Sequence, residues 1–191
     1  MKLCWKQKAV VLSAVAIIGV TAAAGTAAYF TAESKATNVI TAGSIKIELQ
    51  EKMLLPDGEK TVPFEDRINV MPGEEVSKIV QIKNTGGQDA WIRVDVKKTI
   101  ELANGEFTDG DGLTFTLNSD FWTEKNGFYY YNKNLAPGQE TEPLFSSVLF
   151  DKNMGNDFQN SKAVITVTAY AAQTAHNGTS ALDAPLWPQA D

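Results

Sequence analysis

One cysteine and one histidine in 191 residues leave little from which to build a reactive centre. Cys4 precedes a long apolar run instead of following it, so it is no lipoprotein site, and a single cysteine closes no internal disulfide. A hydrolytic zinc site takes two or more His, or His with Cys. His176, alone in a Gly-, Thr- and Ser-rich stretch, supplies neither the ligands nor the base. A Ser-His-Asp arrangement would draw on the same histidine, and no Gly-x-Ser-x-Gly elbow presents a serine. Gly-rich phosphate loops are absent, and nothing singles out a glycosidase pair among the 23 acidic residues. No catalytic residue and no cofactor is assigned, and the chain reads as a non-enzyme.

Basic surface is also scarce. Lys and Arg number 17 against 23 acids, a formal net charge of −6. Lys2, Lys6 and Lys8 sit at the extreme N-terminus, so the remainder is more acidic still. Such a balance repels nucleic acid and anionic membrane, and with no long block of one charge it reads as a soluble acidic surface.

The three lysines introduce residues 9–32, an uncharged stretch with the layout of a secretory signal. Thr26 and Ala28 place small side chains at the two positions a signal peptidase reads, which predicts cleavage between Ala28 and Tyr29. Cleavage after Ala24 and retention as a membrane anchor are the alternatives, since the stretch is long enough to span a bilayer. With cleavage, the membrane is engaged only through this segment. The secreted or surface-exposed remainder is long enough for one domain burying roughly 70% of its unfolded surface.

Four regions follow from the pattern: a signal peptide at 1–28, a flexible lead-in at 29–43, a β-sandwich domain at 44–173 and a polar C-terminal tail at 174–191. Residues 44–50 alternate apolar and polar strictly, as a half-buried strand does. Residues 51–72 hold three prolines and Asp57-Gly58, turn signals around a short strand at 67–71. Strands are expected at 76–83 and 91–100, joined as a hairpin by Asn84-Thr85-Gly86-Gly87. Another is expected at 113–117. Asn126-Gly127 between 121–125 and 128–131 is the strongest short hairpin signal in the chain. Strands at 144–150 and 163–173 complete about eight, with no helical period beyond one turn near 156–162, and the fold class is all-β, a sandwich or jelly roll.

Three groups invite a functional reading. Asp109-Gly110-Asp111-Gly112 resembles part of a calcium loop but lacks the later ligands, which makes Asp109 and Asp111 a weak calcium pair against an ordinary loop. Around the Asn126-Gly127 turn, Trp122, Tyr129 and Tyr131 are candidate partner-contact aromatics. Strand alternation puts Tyr129 with Tyr131 on one face and Phe128 with Tyr130 on the other, one pair for the core. Finally, residues 29–40 are proline-free, with Tyr29, Phe30, Val39 and Ile40 as apolar anchors at the two ends of a polar middle. An extended segment of that kind can satisfy an open sheet edge of a neighbouring subunit, which makes it a candidate polymerisation element, with a disordered linker as the bland alternative.

Several of these residues together resemble the exported biofilm matrix proteins of Gram-positive bacteria that are processed by the SipW type of signal peptidase, the TasA, camelysin (CalY) and BsaA-type group. The likeness begins at Thr26-Ala27-Ala28-Tyr29-Phe30-Thr31 and runs through Asn38-Val39-Ile40-Thr41-Ala42-Gly43 to Ile45-Lys46-Ile47-Glu48-Leu49. It continues from Pro72-Gly73-Glu74 to Asn84-Thr85-Gly86 and Ala90-Trp91-Ile92-Arg93-Val94. Trp122, Asn126 to Tyr131 and Leu135 to Thr141 look most like the clostridial branch. The resemblance implies a jelly-roll domain, a matrix-fibre role as a homopolymer built by donated N-terminal strands, a SipW-type peptidase as processing partner and an accessory matrix protein as a further one. Camelysin also carries a metalloprotease label, from which this chain departs for want of a zinc motif.

The secreted form is expected to begin at Tyr29. N-terminal sequencing or intact mass checks this, and a product starting at Gly25, or a full-length membrane-bound form, contradicts it.

Overall fold

The computed structural model describes residues 30–41 and 45–188. Cys4, the signal segment and the Ala28–Tyr29 junction lie outside these residues. Thirteen strands are present among the described residues, more than the eight expected because several have only two to four residues. Six of them form a continuous path in one large sheet: Trp122–Lys125 (β10), Phe128–Tyr131 (β11), Ala90–Glu101 (β7), Ser161–Gln173 (β13), Phe30–Thr41 (β1) and Arg67–Val70 (β4), in that order. Phe107–Asp109 (β8) pairs with the far end of β7.

The opposing layer is built on a run that is broken only at Lys78, Glu75–Ser77 (β5) followed by Ile79–Asn84 (β6). On one side β6 pairs with Ile47–Leu54 (β2), which in turn pairs with Thr61–Pro63 (β3). On the other, β5 pairs with Ser147–Phe150 (β12), whose outer neighbour is Leu113–Thr114 (β9). Residues 139–146 join the two halves. Leu144 N–H donates to Val80 O (2.8 Å), Thr141 N–H to Ile82 O (2.9 Å) and Asn84 N–H to Gln139 O (2.9 Å). The result is an all-β, sandwich-like fold.

Alternation along the strands fills the space between the layers. Ile92, Val94, Val167, Ala169 and Ala171 of the large sheet meet Val80, Ile82, Leu144, Phe145 and Phe150 of the other, all at most 1% exposed. Alanines on β13 are the reason the layers can approach closely, because a larger residue at Ala169 or Ala171 would have to displace this packing.

Two expectations are corrected here. Residues 84–87 do not close a hairpin: β6 and β7 belong to different layers, and the turn carries the chain from one to the other. Asn84 explains the change. Its side chain is fully buried, and its Nδ2 donates to Gln88 O and Leu135 O (both 2.8 Å) while Oδ1 accepts from Gly86 N–H (2.9 Å). Thr85 and Gly86 N–H groups both donate to Lys46 O, and a Cβ at Gly86 would lie 2.9 Å from Lys46 N, so the turn presses against the chain entering β2. The signal in Asn-Thr-Gly-Gly was for tight backbone, not for pairing of its flanks. The second correction is the lead-in at 29–43, expected to be flexible, which is strand β1 from Phe30 to Thr41. By contrast, Asn126 (φ 54°) and Gly127 (φ 80°) make the two-residue turn between β10 and β11 with both residues at positive φ, as a hairpin twist requires.

Replacing Asn84 by Ala would remove three hydrogen bonds from the buried crossover, leaving Leu135 O with Ala90 N–H alone and Gly86 N–H with Lys46 O alone. The expected loss is about 3 kcal/mol of unfolding free energy. Urea denaturation measures it, and a loss below about 1 kcal/mol would show that the arch does not depend on this side chain.

Candidate functional site

The N-terminal strand has the most distinctive seat in the molecule. β1 runs parallel to β13 with a continuous register from Phe30↔Ser161 to Thr41↔Ala171, slipped once between Ala36 and Asn38. Its other edge meets β4 only near the start, at Phe30↔Val70 and Ala32↔Arg67. Phe30 is 1% exposed, its ring 5.6 Å from that of Phe150 and 6.2 Å from that of Phe158, and Ala32 is buried beside it. Of the anchors read from the sequence, Phe30 is therefore a core residue. Val39, 39% exposed, is not an anchor, Ile40 is half-buried, and Tyr29 lies outside the described residues. Hydrogen bonding along one edge and one buried phenylalanine hold the segment, a design in which backbone supplies affinity and a side chain fixes the register.

The aromatic residues turn the other way from the contact patch expected of them. Trp122 is 1% exposed, stands 5.1 Å from Tyr131 and donates Nε1–H to Glu142 O (3.1 Å). Tyr131 donates its hydroxyl to the Glu142 carboxylate, which Lys133 Nζ also approaches at 3.3 Å. Burial, followed by the Glu142 hydrogen bond and charge, pushes the Tyr131 phenol up to about 12. Burial alone would raise the Glu142 carboxyl, but the bonds from Tyr131 and Lys133 outweigh it and hold the group below its ordinary value. Tyr129 packs edge-on against Phe115 (5.8 Å), which stacks on Phe145 (4.3 Å). All three candidates belong to the core side of the sheet, where Trp122 and Tyr131 are buried and Tyr129 is half-buried.

Phe128 and Tyr130 occupy the outer face, and there the C-terminal segment covers them. The polar tail expected at 174–191 is, as far as Pro188, a strap across β7, β11 and β13. Trp91 Nε1–H donates to Asn177 O (2.9 Å), and Asn177, 3% exposed, accepts from Leu186 N–H (2.9 Å) and donates to Gln173 O (3.0 Å). Arg93 lies among the rings of Phe128 (4.3 Å), Trp187 (4.7 Å) and Tyr170 (5.0 Å), and Nη2–H reaches Pro188 O (3.3 Å). Asp183 ties the strap to itself by accepting from the Ser180 and Thr179 hydroxyls and N–H groups, and these bonds hold its carboxyl far below the usual range. Sequence reasoning missed this second cluster, although Trp187 in an otherwise polar stretch was its signal.

The calcium candidates sit on an exposed corner. Asp109 ends β8 opposite Thr99 and Asp111 lies in the turn closed by Leu113 N–H to Gly110 O, both exposed, with no group of three ligating side chains among the described residues. The adjoining glycines have a packing reason: a Cβ at Gly110 would lie 2.5 Å from Lys98 Cβ, and one at Gly112 would lie 2.8 Å from Met154 Sδ. His176 is exposed in a left-handed turn (φ 57°).

No protein-family model matches the chain, and no curated protein matches it.

Trp187→Ala would open one wall around Arg93 and uncover part of Tyr130, from which it stands 5.9 Å. A loss of about 2 kcal/mol is expected, together with faster proteolytic clipping within 178–188. Unchanged stability and clipping would show that the strap is held by its Asn177 and Asp183 bonds alone.

Proposed function

We propose that the chain is an exported structural subunit of an extracellular fibre or biofilm matrix, assembling by β-strand addition between copies. The observation that carries this reading is β1. It is the first strand among the described residues and pairs in parallel with β13 along its length, and in this reading another copy of the chain supplies it to that edge. Exchange between copies reproduces every contact of the closed form, so a closed subunit and a fibre of linked subunits differ little in enthalpy, and concentration decides between them.

Processing between Ala28 and Tyr29 by a SipW-type peptidase would free the start of β1, coupling assembly to export. The acidic charge and the buried aromatics leave no basic or apolar platform for nucleic acid, and in this reading the partners are other copies of the chain, with an accessory matrix protein as a cap or nucleus. No cofactor or catalytic residue enters it. The second reading is a monomeric surface or secreted binding module, with membrane anchoring if the signal is retained. It is favoured by β1 being seated in its own chain's sheet.

Ala32 and Ala163 are register partners on β1 and β13, both buried on the core face, so cysteines at both positions report which chain supplies the strand. Under oxidation, the mature Ala32→Cys/Ala163→Cys protein is expected to give a ladder of linked subunits on a non-reducing gel, with filaments under negative stain. Monomers linked only internally at all concentrations would replace the fibre reading with the monomeric one.

Truncating the chain to begin at Ala42 is expected to abolish the filaments and also lower the thermal midpoint, because Phe30 and the β13 edge lose their partners. Filaments from the truncated protein would rule out donated β1.

A further inference from the structure

Lys78 is the one residue separating β5 from β6, and its side chain points into the protein with 3% exposure. Its Nζ lies 2.6 Å from Glu51 Oε1, and the glutamate side chain is 6% exposed. The scaffold around the pair is rigid. Glu51 is on β2 opposite Val80 of β6, and the Lys78 N–H donates to Ser146 O (2.9 Å), so paired strands fix both groups. The Phe64 ring lies 4.2 Å from Nζ, and Val76, Val148, Phe150 and Ile165 line the apolar recess around the lysine stem.

The other lysine–carboxylate contacts differ in kind. Lys52 and Lys83 to Glu140 and Lys133 to Glu142 span 3.3–3.5 Å with side chains about a third or more exposed, so water keeps those groups solvated. At Lys78, loss of water is the dominant influence and depresses the ammonium below the ordinary lysine range, ahead of the opposing pull of Glu51 and of Asp66. Two charges in such a place are costly, whereas a neutral amide in the same place carries no net charge.

We propose that Lys78 and Glu51 condense into an intrachain isopeptide bond that joins β2 to the β5–β6 strand. The ammonium first passes one proton to the Glu51 carboxylate, leaving a neutral amine and a carboxylic acid in contact. The Nζ lone pair attacks Cδ, forming the C–N bond and a tetrahedral centre. A second proton moves from nitrogen to the departing hydroxyl, the C–O bond breaks, and one water leaves. Reactants and products balance with no oxidant, metal or external nucleophile. In a chain with no second cysteine, this bond takes the place a disulfide would hold.

The test is the mass of the full-length secreted protein under denaturing conditions. It is expected to be lighter by one water than its sequence and N-terminus require. Trypsin should fail to cut after Lys78 and should yield a branched peptide containing both Glu51 and Lys78. The Lys78→Met variant should recover the full sequence mass. An unmodified wild-type mass, or tryptic cleavage after Lys78, overturns the proposal, and so does a missing water without the branched peptide. Wild-type protein alone decides the matter if the variant fails to fold.

Discussion

Strand β13 is buried on both faces, and that constraint organises the large sheet. Ala163, Val167, Ala169 and Ala171 face the opposing layer, while Val164, Thr168, Tyr170 and Ala172 are buried on the other face, where Tyr170 packs against Phe128 and Arg93. A strand with no wet face cannot leave its backbone N–H and C=O groups to water, so both edges need partners. β7 satisfies one edge over the whole length from Lys162 to Gln173, and β1 satisfies the other. The demand comes from β13 and is indifferent to which chain supplies the strand. In the proposed fibre, stability of the domain and association of its copies would therefore draw on the same set of hydrogen bonds.

The second layer depends on a different element, the broken run of β5 and β6. Its break at Lys78 turns a long side chain inward, where Glu51 and the Phe64 ring receive it, and its end at Asn84 is the buried polar hub of the crossover to β7. Both are buried polar groups, which are tolerated only when every partner is in place. They also act at the two ends of one strand, so each restricts how that strand can slide against β2 and the 139–146 segment. A layer of short strands gains its definition from such points more than from the length of its ladders.

Exposed apolar residues are few and scattered. Ile68 on the edge strand β4 and Phe107 at the start of β8 are the most open, 70% and 68%, and both are on short strands near charged neighbours. Short edges with charges resist indiscriminate pairing between sheets. The edge of β13 is different: it is paired by β1, which carries Phe30 in register.

The all-β class, the two-residue hairpin at Asn126-Gly127 and the terminal position of a long apolar β13 were all legible in the amino-acid sequence. Each rests on a local rule, side-chain alternation or positive φ at Asn-Gly. The aromatic pairs were legible only up to their separation into two faces. Alternation divides Phe128 and Tyr130 from Tyr129 and Tyr131 without stating which side is covered, and here both are, one by the core and one by a strap ending at Trp187. Polar composition concealed both the strap and β1, since each takes its place from partners distant in the chain. What the tertiary structure alone decided is who pairs with whom. β1 is a strand because an edge more than a hundred residues away in the chain lacks a partner, and Asn84 starts a crossover because Leu135 O and Lys46 O wait on either side of it. Periodicity describes the face a residue takes, but backbone pairing between distant segments leaves no period in the sequence, and only the assembled layers supply it.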